Sequence, residues 1–275
     1  MNNKILQSVL KPGINHVSNA EYHKDTAYLS SSVFKTILKS LDTYKDEYID
    51  GNKKEHSPQT MANFAVGSLL HSMVLEPELV AKEYEFFPGW RKAGHEFEAF
   101  KANARPGLPI ISLPQLEKAK SMYESYKRNP VAVDLIKNGF PEYTLATVLA
   151  GVPVKVRADW ISVSGRYICD VKSTSGGSDI ESVKETVKAF QYDLSGALYA
   201  WAYEEHYGFP FDFYLLMCSK LDNTCVVYKI GAETMARGRA AILFAANKYK
   251  RAVETGIWTE ATIADPVAQH DILEI

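Results

Sequence analysis

The chain has 275 residues, enough for one large domain or two small ones, and 46% of them are hydrophobic, which supports a substantial core. A net charge of -2 excludes a uniformly basic coat protein for nucleic acid, although a basic groove can sit on an acidic exterior. There is no apolar run of about 18 residues for a membrane span and no apolar leader for secretion, so a cytoplasmic protein is expected. The three cysteines, Cys169, Cys218 and Cys225, fall short of a disulfide framework and of a four-cysteine iron–sulfur site. They read as small buried residues in a reducing compartment.

Residues 1–27 are polar and aperiodic and read as an N-terminal arm ordered by a partner. Ser30-Ser31-Ser32 then offers caps to a helix whose Val33, Phe34, Ile37, Leu38 and Leu41 recur at helical spacing. A second helix is predicted over 61–75, ending before Glu76-Pro77. Gly67 and His71 share a face of it, and the glycine admits a close neighbour. Residues 84–109 are aromatic, glycine-rich and charged, and read as irregular, with a basic cluster at Arg91, Lys92, Lys101 and Arg105. Ser112 and Pro114 open a helix to residue 127, and a short helix follows over 130–137. Strands are expected over 142–149 and 152–161, and a third over 166–172. A loop over 173–178 leads to helical patterns over 180–188 and 189–207. Strands over 211–218 and 225–230, a long helix over 234–255 and a C-terminal tail over 259–275 complete the chain. Helices, three strands, a helix, two strands and a helix make an α/β or α+β domain over 28–258 with a helical N-terminal portion.

The chemistry concentrates in 157–172. Asp170 and Lys172 are two apart on a strand and share a face, with Val171 on the other. A hairpin turning at Ser162-Val163-Ser164-Gly165 sets Asp159 beside Asp170. Two carboxylates for a hard cation with an ammonium one step away suit attack on a phosphodiester by water. Alone, Asp-x-Lys is more simply a surface ion pair of small worth, and His71 on an apolar helix more simply a core histidine. Arg157 lies two before Asp159 and could clamp a terminal phosphate in bidentate fashion.

Taken in order, Gly67-Ser68-Leu69-Leu70-His71, Glu142, Arg157-Ala158-Asp159-Trp160, Asp170-Val171-Lys172-Ser173-Thr174 and Tyr192 with Ala197-Leu198-Tyr199 resemble the PD-(D/E)xK nuclease superfamily. More closely they resemble the RecE-type (exodeoxyribonuclease VIII) exonucleases of phages and prophages. The resemblance spans most of the chain, and the order and spacing of the motifs are more specific than any one of them. It implies a mixed central sheet flanked by helices and one or two Mg²⁺ or Mn²⁺ ions. The ligands implied are His71, Asp159, Asp170 and the carbonyl of Val171. Lys172 orients the attacking water, Glu142 positions a metal or its water, and Gln191, Tyr192 and Tyr199 face the substrate. One departure stands out. The family's glutamine four before the tyrosine is Ser195 here, with Gln191 one turn earlier on the same face. The implied activity is 5′-to-3′ digestion of linear double-stranded DNA, leaving 3′ overhangs. A RecT-like annealing protein would receive the single strand, and the enzyme would form a homo-oligomeric ring. The alternatives are a Cas4-like or RecB-like nuclease, an endonuclease of the same fold, or a non-catalytic DNA-binding or assembly protein. The cysteine spacing argues against the Cas4-like case.

Overall fold

Residues 140–174 form three successive antiparallel strands whose alternating side chains supply both faces of the core. The computed structural model describes residues 8–53 and 55–259. In chain order the elements are β1 (Gly13–Asn15), α1 (Asn19–Lys24), α2 (Ser31–Lys39), α3 (Leu41–Tyr44) running into a π-helical turn, α4 (Pro58–Leu75), α5 (Val80–Glu83), β2 (Glu85–Phe87), α6 (His95–Asn103), β3 (Ile110–Ser112), α7 (Leu113–Arg128) and α8 (Pro130–Leu135). Then follow β4 (Phe140–Leu149), β5 (Val152–Ser162), β6 (Tyr167–Thr174), α9 (Ile180–Phe190), α10 (Tyr192–Tyr207), β7 (Asp212–Ser219), β8 (Cys225–Lys229) and α11 (Ala232–Thr255).

The main sheet runs β1-β4-β5-β6-β7-β8. Its pairs are antiparallel except β6–β7, which the α9–α10 crossover makes parallel. On one face Val154, Val156, Ile168, Phe213 and Leu215 pack under α2, α10 and α11, with Phe34, Ile37, Leu198 and Ile242 fully buried. On the other, Trp160, Cys169, Val171 and Leu216 pack under α4 and α7 with Leu69, Leu70 and Met122. Two close approaches lock these layers. A Cβ on Gly67 would meet Ser173 Oγ at 2.7 Å, so α4 lies hard against the end of β6. A Cβ on Gly238 would clash with the Asp193 carbonyl oxygen, so α11 touches the backbone of α10.

Ser112 caps α7 in a capping box with Gln115, and Pro114 sits in its first turn, as the sequence predicts. Four expectations need correction. Residues 8–27 are not a detached arm: β1 pairs with β4, Leu10 and Tyr22 are buried, and Asp25 accepts the amides of Val9, Leu10, Ala27 and Tyr28. Residues 84–109 are not wholly irregular. They carry β2 and α6, and Arg105 leaves the expected basic cluster to bind Glu85 and the carbonyls of Ala81, Lys82 and Tyr84. The helix expected over 189–207 is broken at Gln191, which takes the left-handed conformation at φ +50°. Cys218 and Cys225 form a disulfide, because the β7–β8 register sets them directly opposite with Cα atoms 4.2 Å apart. Cys169 is free and buried. Of the expected tail, 260–275 lie outside the described residues. No helix among the described residues is long and apolar enough to cross a membrane.

Candidate metal centre

The β5–β6 ladder begins at Ser162↔Tyr167 and ends at Trp160↔Cys169. Beyond that pair the strands fork. Asp159 stands at the fork, and its Oδ2 accepts the amide N–H of Val171 at 2.8 Å, a donor the lost ladder would otherwise leave open. On β4, Glu142 falls at the one step missing between Pro141↔Trp160 and Tyr143↔Ala158, opposite Asp159. Glu142 adopts φ +48°, a left-handed conformation that costs a non-glycine residue about 1 kcal/mol or more. It is held there by Arg157, whose Nε lies 2.9 Å from Glu142 Oε2. His71 descends from α4, placed by the Gly67–Ser173 approach one turn earlier.

The side chains converge. His71 Nε2 is 3.2 Å from Asp159 Oδ2 and 3.4 Å from Glu142 Oε1. One ligand atom from each of His71, Glu142 and Asp159 lies within 4.8 Å of the others. Lys172 Nζ is 2.7 Å from Asp170 Oδ2 and 3.5 Å from Asp159 Oδ2. Asp170 is 2% exposed, so its carboxyl depends on the lysine and on whatever enters the fork.

Electrostatics follow from burial and crowding. Burial raises the Asp170 carboxyl well above the usual range, and neighbouring Asp159 raises it further against the pull of Lys172. Burial likewise raises Glu142, opposed by His71 and reinforced by Asp159. Burial alone would raise Asp159 too, but Lys172 and His71 outweigh it and hold that carboxylate ionised far below its ordinary range. Burial disfavours the charged His71 imidazole, yet Asp159 and Glu142 prevail and raise its pKa. Lys172, desolvated but flanked by Asp159 and Asp170, stays charged. The Lys172 ammonium therefore stands where a divalent cation would otherwise balance the charge.

The donor set fits such a cation. Carboxylate oxygens with one imidazole suit Mg²⁺ or Mn²⁺. Ligands at about 2.1 Å from an octahedral ion are about 3 Å apart when adjacent, close to the 3.2 and 3.4 Å separations around His71. The Val171 carbonyl adjoins the same group, 3.5 Å from Lys172 Nζ.

The other candidates lie around this centre in different ways. Tyr199 packs edge-on against Phe213, ring centroids 6.4 Å apart, and its phenol is pushed up by burial and by Asp170. Tyr192 lies beneath the Lys172 ammonium, 5.8 Å from ring centroid to Nζ. Gln191 lies at the α9–α10 break and lines a cleft with Lys35 and Lys39. Arg157 is not the expected phosphate clamp. Its Nε is taken by Glu142, its Nη2 donates to the Val17 carbonyl, and its guanidinium lies 5.2 Å over the Tyr22 ring. With that fork turned inward, Arg157 supports Glu142. Two contributors escaped the sequence reading. Lys35 is a cation on a helix read for its apolar repeat, and Tyr22 lies in a segment without periodicity.

Residues 30–262 match a family described as a PDDEXK-like domain of unknown function (DUF3799). A crystal structure of a candidate exonuclease from Eubacterium rectale is similar at a TM-score of 0.65 and 14% identity, covering 95% of this chain and 96% of that one. At that identity the likeness speaks to fold alone. The solved structure of SSO0001, 12% identical over 78% of this chain and 85% of its own, has a TM-score of 0.27 and carries no argument. No curated protein matches the chain.

Proposed function

The chain belongs to the PDDEXK-like family that its residues 30–262 match, and from that premise we propose that it is a divalent-metal-dependent exonuclease of linear double-stranded DNA. It removes the 5′ strand and leaves a 3′ overhang for recombination by annealing. The observation that carries the reading is the meeting of His71, Glu142 and Asp159 within one ion's reach, with Asp170 and Lys172 beside them. The polarity, the RecT-like partner and the ring-shaped homo-oligomer rest on the resemblance to RecE-type exonucleases.

The residues divide the work. His71, Glu142, Asp159 and Asp170 would hold the metal, together with the carbonyl of Val171. When bound, the ion supplies positive charge to the phosphodiester and acidifies nearby water. Lys172, kept charged by two carboxylates, orients the attacking water and offsets charge growing on the phosphate oxygens. Asp170, fixed against Lys172, aims that ammonium. Arg157 keeps Glu142 turned into the fork.

The test uses linear duplex labelled at the 5′ or 3′ end, with Mg²⁺ or Mn²⁺. Wild type is expected to release the 5′ label first and to spare a closed circle. Asp170→Ala is expected to release neither label. Undiminished digestion by Asp170→Ala would overturn the site, and cutting of the circle would make the enzyme an endonuclease.

A further inference from the structure

The α9–α10 break, joined to the metal centre through Lys172 over Tyr192, carries an aromatic pair that the proposed hydrolysis does not use. Phe190 ends α9 with 59% of its surface exposed, and its ring stacks on Tyr192, centroids 5.7 Å apart and planes 19° from parallel. In a continuous helix, residues two apart point away from one another. The left-handed Gln191 between them breaks the helix and lets the two rings meet. Lys35 of α2 lies 5.5 Å over the Tyr192 ring and donates Nζ to the Phe190 carbonyl at 2.7 Å. Lys172 approaches the same ring from the metal side at 5.8 Å. Lys35, Lys39 and Gln191 line an open cleft of about 400 Å³ here.

We propose that the exposed Phe190 ring and the adjoining lysine-lined cleft together hold one nucleotide of single-stranded DNA near the metal centre, its base stacked on Phe190 outside the cleft and its phosphate on Lys35 and Lys39. The proposal rests on the reading of the chain as a DNA nuclease and names the form in which the strand lies beside the scissile bond. An aromatic ring already stacked on one side and open on the other offers a base its free face. In a duplex interior both faces of each base are covered, so only an unpaired or terminal base can use it. An ammonium has three donors, and Lys35 gives one to a neutral carbonyl. Burial and the neighbouring Lys172 lower the Lys35 pKa to about 8, so an incoming phosphate relieves a desolvated cation.

The test is fluorescence anisotropy of labelled oligothymidine, and of an abasic oligomer of the same length, with the full chain in EDTA. Phe190→Ala is expected to weaken oligothymidine binding about tenfold, Phe190→Trp to restore it, and neither to alter abasic binding. Lys35→Gln is expected to weaken both oligomers and to flatten the salt dependence. Phe244→Ala, an exposed aromatic on α11, serves as the unaffected control. The subsite is overturned if wild type does not bind, if Phe190→Ala binds like wild type, or if abasic and base-bearing oligomers bind alike. Duplex hydrolysis by wild type, run in parallel, separates the two ideas. Hydrolysis with an indifferent Phe190 sinks the subsite alone, whereas binding without hydrolysis sinks the nuclease reading.

Discussion

At the residue scale, metal holding and chemistry fall to different side chains in the proposed reaction. Lys172 occupies the carboxylates at 2.7 and 3.5 Å, so it would compete with a cation as well as serve the proposed reaction. Lys172→Met is therefore expected to cut the hydrolysis rate by about 10²- to 10³-fold. Calorimetry should find its Mn²⁺ affinity equal to or tighter than that of wild type. A loss of metal binding in this variant would make Lys172 structural. Titration gives a second check. The pKa values of Asp170, Glu142 and His71 are all raised on folding. A raised group stabilises the fold below its unfolded value and loses that contribution as pH climbs through the folded value. Asp159 is lowered and acts in the opposite sense, losing its contribution only as pH falls below the carboxylate range. The metal-free melting temperature should thus fall between about pH 5 and 8, and Mn²⁺ should restore it most at the upper end. A metal-free protein that grows steadily more stable to pH 8 would contradict this charge arrangement.

At the element scale, the helices are held by contacts that leave no room for a methyl group. Gly238→Ala must push α11 away from the α10 backbone and is expected to destabilise the fold by about 1–3 kcal/mol in urea titration, without altering metal affinity. Gly67→Ala meets only the Ser173 hydroxyl, which can rotate, so a smaller loss is expected, carried by a shift of His71 and read as weaker metal binding. These elements also show how much could be read beforehand. The β5–β6 hairpin was legible because apolar and polar residues alternate through it, and the pattern alone places Asp170 and Lys172 on one face. α4 was legible from its apolar run, which carries His71 as a polar exception. The break at Gln191 was not, because residues on both sides favour helix and a single left-handed residue leaves no mark in composition. The Cys218–Cys225 bridge needs the β7–β8 register, which three cysteines do not disclose. The hairpin register sets Asp159 beside Asp170, whereas the end of the β5–β6 pairing at Trp160↔Cys169 leaves no mark in the residue pattern.

At the scale of the whole molecule, residues 8–27 pack onto the sheet that carries the candidate site. Lys155 is buried and donates to the carbonyls of Tyr22 and Asp25, while Arg157 links Glu142 to Val17. Sequence periodicity missed this segment because its role is made of backbone carbonyls and one aromatic ring. Deleting residues 1–27 removes the carbonyls and the Tyr22 ring that enclose Lys155 and the Val17 carbonyl that holds Arg157, and should weaken metal binding through Glu142. Calorimetry that finds Mn²⁺ affinity unchanged by the deletion would detach the segment from the site. The central claim remains that the fork between β5 and β6 binds a divalent ion. Anomalous diffraction from crystals soaked in Mn²⁺ tests it most directly. The expected result is a peak about 2.1–2.3 Å from ligand atoms of His71, Asp159 and Glu142 or Asp170. An empty fork at saturating Mn²⁺, or a peak only elsewhere on the molecule, would contradict it.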